Sequence, residues 1–176
     1  FEWMTLWDNV MFGPKIQGMD LKEANEKARD LIELSGLSGF ETKFPGQLSG
    51  GMQRRAELIR SLINDPQVLL LDEPFRGLDA MTRSMMQEYF LKVFETTSTT
   101  MLLITAELEE AVFMGDIVYL LTAMPAKVKK EMLLPLPRPR LLELQTTPEF
   151  AKLHIEAYET MEEEAQKTFE LVPSNE

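Results

Sequence analysis

Between Thr5 and Gln17 apolar residues fall at 6, 7, 10, 11 and 12, a helical spacing that Gly13-Pro14 is expected to interrupt. Asp20-Leu-Lys-Glu23 reads as a capping box opening a helix that runs to about Ser35, where Gly36 stops it. Residues 37–47 form a connection rich in Gly, Ser and Pro. Ser49 then has the look of an N-cap for a helix reaching Asn64, which Asp65-Pro66 ends. Residues 67–71, apolar without a break from Val68 onward, read as a strand buried on both faces.

Past a turn at Gly77, Ala80 to about Thr96 reads as a helix, Met101–Thr105 as a second buried strand and Glu107 to about Met114 as a short helix. Ile117–Leu121 reads as a third strand. Strands alternating with helices imply a parallel sheet with right-handed crossovers. A β-ribbon is expected over Lys127–Leu134, followed by the stiff Pro135-Leu-Pro-Arg-Pro139-Arg140 segment. Pro148 sits at a helix start, and apolar residues at 150, 153, 157, 161 and 165 predict an amphipathic C-terminal helix. There is no internal repeat. The fold class is therefore α/β, with three expected regions: helical over 1–63, sheet-forming over 64–134 and a C-terminal extension over 135–176.

Composition narrows the function. A chain of 176 residues suits one domain with a real core. Its net charge of −11 argues against a nucleic-acid surface, which needs clustered Lys and Arg. Residues 156–164 hold five Glu and no basic residue, the pattern of a solvated helix face. With no cysteine, neither a disulfide nor a thiolate metal site can form. No apolar run approaches the ~20 residues that cross a bilayer, and no signal peptide is visible. The single histidine, His154, lies far along the chain from the motifs described next.

Two stretches carry chemistry. Leu48-Ser-Gly-Gly-Met-Gln-Arg-Arg55 places a hydroxyl, bare backbone N–H groups and a positive helix end together, which in principle makes an anion site. A plain Ser cap after a turn is the simpler use of Ser-Gly-Gly. Val68-Leu-Leu-Leu-Asp-Glu-Pro74 ends a buried strand on two carboxylates, which are costly there unless they meet a cation or hydrogen bonds. The bland alternative is an Asp that caps the following turn.

Taken in that order, the two stretches resemble the signature motif and the Walker B strand of the ATP-binding-cassette (ABC) ATPases, a branch of the P-loop NTPases. The resemblance implies that Ser49, Gly50 and Gly51, supported by Gln53, bind the γ-phosphate of ATP held by a second ATPase subunit. It implies that Asp72 orients Mg²⁺ and that Glu73 is general base to the attacking water. Gly77-Leu-Asp79 resembles the D-loop, which places Asp79 at the dimer interface. The stretch Phe1–Asn9 resembles the sequence just after the family's glutamine loop.

Two departures stand out. No Gly-x-x-x-x-Gly-Lys-Ser/Thr loop occurs in the 176 residues, so these residues are not expected to hydrolyse ATP by themselves. The family's switch histidine corresponds to Ala106, in Leu103-Ile-Thr-Ala-Glu-Leu-Glu-Glu110. A methyl group donates no hydrogen bond, and loss of such a donor is worth ~10²–10³ in rate.

In ABC transporters the helical region receives a coupling helix from the membrane permease. Trp3, Trp7, Met11 and Phe12 are apolar candidates for that contact, or else pack internally. The Pro/Arg segment ending at Arg140 and the Thr-Pro-Glu-Phe helix start resemble the nitrate/sulfonate/taurine importer type. The expected function is the ATPase subunit of such an importer, dimeric and held at the cytoplasmic membrane face by its permease. The alternative is a non-hydrolytic partner that donates only its signature and D-loop to another chain's site. A third reading, an ABC ATPase acting on nucleic acid, sits badly with the acidity.

Overall fold

The computed structural model describes residues 1–97 and 99–171. Two compact units, Phe1–Ile104 and Thr105–Glu176, divide the chain.

The first unit opens with three helices, α1 (Leu6–Gln17), α2 (Leu21–Leu34) and α3 (Gly50–Leu62). They meet over a core of Leu6, Val10, Met11, Ala28, Ile32, Ile59 and Ile63. The expected break at Gly13-Pro14 does not occur. Pro14 lies inside α1 and is buried, so the missing N–H bond is offset by an apolar face packed without interruption. Gly13 is needed for a different reason: a Cβ there would stand 2.1 Å from the side-chain oxygen of Asn64. Asp20 does cap α2, accepting from the N–H groups of Lys22 and Glu23. Gly36, at φ +66°, ends it as expected.

A crossover unit follows: β1 (Val68–Asp72), α4 (Ala80–Thr96) and β2 (Thr100–Ile104). The two strands run parallel, with Leu70 opposite Leu102 and Asp72 opposite Ile104. Burial on both faces, expected for this run, is not what the strands have. Leu69 is buried, but Leu70 is 68% and Ile104 54% exposed, and Val68 and Leu102 on the same face are also exposed. Among the described residues nothing covers that side. Leu, Val and Ile rows on both faces of a parallel strand are built for two covers.

In the second unit, α5 (Leu108–Met114) leads into β3 (Ile117–Leu121), which pairs antiparallel with β4 (Val128–Leu133). The expected third parallel strand is thus one arm of a hairpin. The expected ribbon over Lys127–Leu134 is its other arm. The short link between them explains this, since parallel pairing needs a crossover of a dozen or more residues. The Pro-rich segment is fixed by buried Arg140, which donates to the carbonyl of Phe113 and to the Asp116 carboxylate.

The C-terminal helix α6 (Pro148–Leu171) turns Phe150 and Ala157 inward, as its periodicity predicts. At its far end the pattern fails: Glu164 is buried and Ala165 exposed. Glu164 accepts from the N–H of Ala123 (3.0 Å), from Lys129 (3.0 Å) and from Lys167 (2.8 Å). His154 stacks on Phe150 at 6.2 Å. No helix among the described residues is long and apolar enough to cross a membrane. The result is a mixed α/β fold with a parallel-strand core, surrounding helices and a C-terminal helix, the arrangement of an ABC-type P-loop ATPase domain.

Candidate functional site

The Ser-Gly-Gly turn is built by the residues around it. Ser49 has extended backbone (φ −66°, ψ 160°) and its Oγ accepts from the N–H of Met52 at 3.3 Å. That cap leaves the N–H groups of Gly50 and Gly51 without partners inside the helix, at its positive end. A Cβ on Gly50 would meet nothing within 4 Å, so this surface is open. Gln53 faces the other way: its amide donates to the carbonyls of Pro45 (2.9 Å) and Leu48 (3.1 Å). It braces the turn that delivers Ser49 and has its N–H groups committed there.

Arg55 is a second brace, which the sequence motif did not single out. Its guanidinium donates to the carbonyl of Ser35 at 2.7 Å and to that of Gly51 at 3.4 Å. The signature turn is thereby tied to the end of α2. A basic residue one helical turn past Gly51 was the available signal.

The carboxylate pair ends β1. Asp72 shares the bare face of the sheet with Leu70 and Ile104. Glu73 breaks the strand, at φ +42°, and its N–H donates to the carbonyl of Ile104 at 2.8 Å. Its side chain pairs with Arg76, Nη1 to Oε2 at 2.7 Å. The loop then buries Phe75, which meets Phe90 of α4 edge-on with ring centres 5.0 Å apart. Gly77, at φ +76°, completes the turn.

Asp79 caps α4, accepting from the N–H of Thr82 (3.0 Å) and from its hydroxyl (2.7 Å). Those two hydrogen bonds hold its carboxyl below the usual carboxylate range. Thr82 does more than complete the cap. Its methyl lies 3.3 Å from where a Cβ on Gly51 would stand. The D-loop cap and the signature turn therefore touch through Thr82, a link hinted at only by the Asp-x-x-Thr spacing.

Of the residues proposed for a permease contact, Met11 is fully buried and is corrected to a core residue. Trp3 is 73% exposed, and Trp3 and Phe12 line a groove of about 380 Å³ with Asp8, Lys15 and Phe44. Trp7 is half-buried and does not line it. In the second unit Ala106 is exposed, and the hydroxyl of the preceding Thr105 accepts from the N–H of Glu107 at 3.0 Å.

Among the described residues no cluster of three or more metal-ligating side chains exists. Mg²⁺ is a hard cation usually bound by one or two carboxylates together with water and substrate phosphates. Asp72 offers such a carboxylate at an exposed strand end.

A family model described as "ABC transporter" matches residues 1–76. The chain is 43% identical over 138 residues to an uncharacterized ABC transporter ATP-binding protein of Methanocaldococcus jannaschii, covering 78% of this chain and 52% of that protein. It is 39% identical over 158 residues to the nitrate import ATP-binding protein of Synechocystis, covering 86% of this chain and 59% of that one. It thus spans little more than half the length of these relatives. In fold it is similar to an ATP-binding cassette of an ABC transporter solved in its ADP conformation, with TM-score 0.64 at 22% identity, over 88% of this chain and 63% of that chain. By sequence this chain is related to the ATP-binding subunits of ABC transporters, importer-type ATPases among them, and its fold is similar to that of a solved ATP-binding cassette.

Proposed function

We propose that the chain is the signature and Walker B part of an ATP-hydrolysing subunit that energises solute uptake by an ABC importer of the nitrate/sulfonate/taurine kind. The observation that carries this reading is the junction of Gly51, Thr82 and Asp79. It brings the open N-terminal end of α3 and the acidic loop between β1 and α4 into contact.

In this reading Ser49, Gly50 and Gly51 receive the γ-phosphate of an ATP bound by a second subunit, and Gln53 and Arg55 hold the turn that presents them. Asp79 meets that second subunit. Glu73 accepts a proton from the attacking water. Mg²⁺, when bound, neutralises phosphate charge, and Asp72 would hold it. Residues 1–63 form the region that meets the permease, 64–134 carry the acid pair, and 135–176 extend it. The groove lined by Trp3 and Phe12 receives an apolar segment of the permease at the cytoplasmic face. The phosphate loop comes from outside these 176 residues, and ATP turnover needs it.

A second reading has one specific observation in its favour. The alanine at position 106 offers no donor where the family has its histidine, as expected of a chain that only donates its signature to another site. Substitution of Glu73 by Gln in the assembled transporter separates the two. Loss of turnover supports the hydrolytic reading. Turnover equal to the parent's supports the donor reading.

A further inference from the structure

We propose that Arg76 positions the Glu73 carboxylate. The proposal rests on the reading of Glu73 as general base.

Arg76 holds Glu73 twice. Its backbone N–H donates to the Glu73 carbonyl at 3.1 Å, and its Nη1 donates to Oε2 at 2.7 Å. The Glu73 N–H is meanwhile fixed on Ile104. With the backbone held at both ends, only side-chain torsions are left to set where the carboxylate points. The guanidinium, planar and always charged, sets them by a charge-assisted bond. Among the described residues Oε1 has no protein partner, so it remains open to accept from water.

This pair is poorly explained as a stabilising contact. Its side chains are 80% and 34% exposed, and exposed ion pairs contribute little to folding. Its worth rises where a second surface closes over the loop and excludes water, since the same attraction is far stronger in a drier medium. A base held in one orientation gains most at that moment. Misplacement on the order of 1 Å costs about a hundredfold in rate.

The test uses the complete subunit assembled with its partner and permease. The variants are Glu73→Gln, Arg76→Ala and Arg76→Lys. The parent must turn over and Glu73→Gln must be silent. If either fails, the reading of Glu73 falls and this proposal falls with it. Given both, Arg76→Ala should lower kcat by about tenfold to a hundredfold. KM and the directly measured ATP affinity should stay within about twofold. Arg76→Lys should retain most of kcat. Unchanged or raised kcat in Arg76→Ala, beside a silent Glu73→Gln, overturns the proposal alone. So does a change confined to ATP affinity, or an Arg76→Lys kcat no better than that of Arg76→Ala. Because Arg76 is a loop residue pointing into solvent, thermal melts of these variants should match the parent.

Discussion

The methyl of Thr82 stands 3.3 Å from the point a β-carbon on Gly51 would occupy, so the D-loop cap and the signature turn share one van der Waals surface. Gly51→Ala should gain helix propensity and lose it again to this contact, with a net change within about 1 kcal/mol. In a Thr82→Ser background, where the cap survives and the methyl is gone, the same substitution should be stabilising. A double-mutant cycle in denaturant should show a coupling of about 0.5 kcal/mol or more. Additive effects would mean that the two turns are independent.

Gly50 offers the contrasting case, because a Cβ there meets open space. Gly50→Ala should leave stability unchanged or raise it, by up to about 1 kcal/mol, as denaturant unfolding would show. Turnover of the assembled transporter should nevertheless fall sharply, since the added methyl projects from the surface assigned to phosphate. Full turnover would detach Gly50 from that role.

Gln53→Ala removes two hydrogen bonds to the carbonyls of Pro45 and Leu48. A loss of about 1–3 kcal/mol is expected, about 0.5–1.5 for each part-buried hydrogen bond. Gln53→Glu should do no better, as a carboxylate cannot donate. Denaturation midpoints of the two variants give the answer, and a neutral Gln53→Glu would refute the bracing role.

Acid should loosen the second unit through Glu164. Its carboxyl is pushed down to about 2 by Lys167 first, then by the Ala123 N–H and Lys129. A lowered carboxyl stabilises the fold above its unfolded value of 4.5, and that contribution is lost as pH falls towards about 2. Lys129, raised by the same carboxylate, contributes below its ordinary 10.5 and loses that contribution as pH climbs past it. Stability of Glu164→Gln should therefore vary less with pH than the parent's at both ends, as melting curves across pH would show.

Trp3 and Met11, both read from the sequence as candidates for the permease contact, should part company under substitution. Met11→Ala should cost about 2–5 kcal/mol of stability by opening a core cavity. Trp3→Ala should leave stability within about 0.5 kcal/mol, its side chain being mostly in water. It should weaken co-purification with the permease instead. A Trp3 variant that docks normally would remove the groove from the permease contact.

The helices were legible because they carry their own punctuation: Asp20 and Ser49 cap where the sequence places them, and the structure adds Asp79 as the cap of the helix read from Ala80. What escaped depended on partners distant in sequence. Pro14 alone reads as a helix breaker, and only the packed face of α1 shows why the helix continues. Val68 to Leu71 reads as doubly buried, which is a property of the residue types rather than of the layers present. Ile117 to Leu121 has the composition of a parallel strand, and its pairing was decided by the short link to Val128. Glu164 fell in an acidic run whose average reading is a solvated face, yet three N–H donors take it inside. At the candidate site the residue types were visible, whereas the braces Arg55, Thr82 and Arg76 were not, since each acts through a contact that no motif encodes.

Glu73 sits at φ +42°, where a side chain of its kind costs about 1 kcal/mol or more relative to an ordinary conformation. Glycine or asparagine would hold the same turn with less strain. The carboxylate is thus held at a cost to the fold, and in the reading of Glu73 as general base that cost goes with its use.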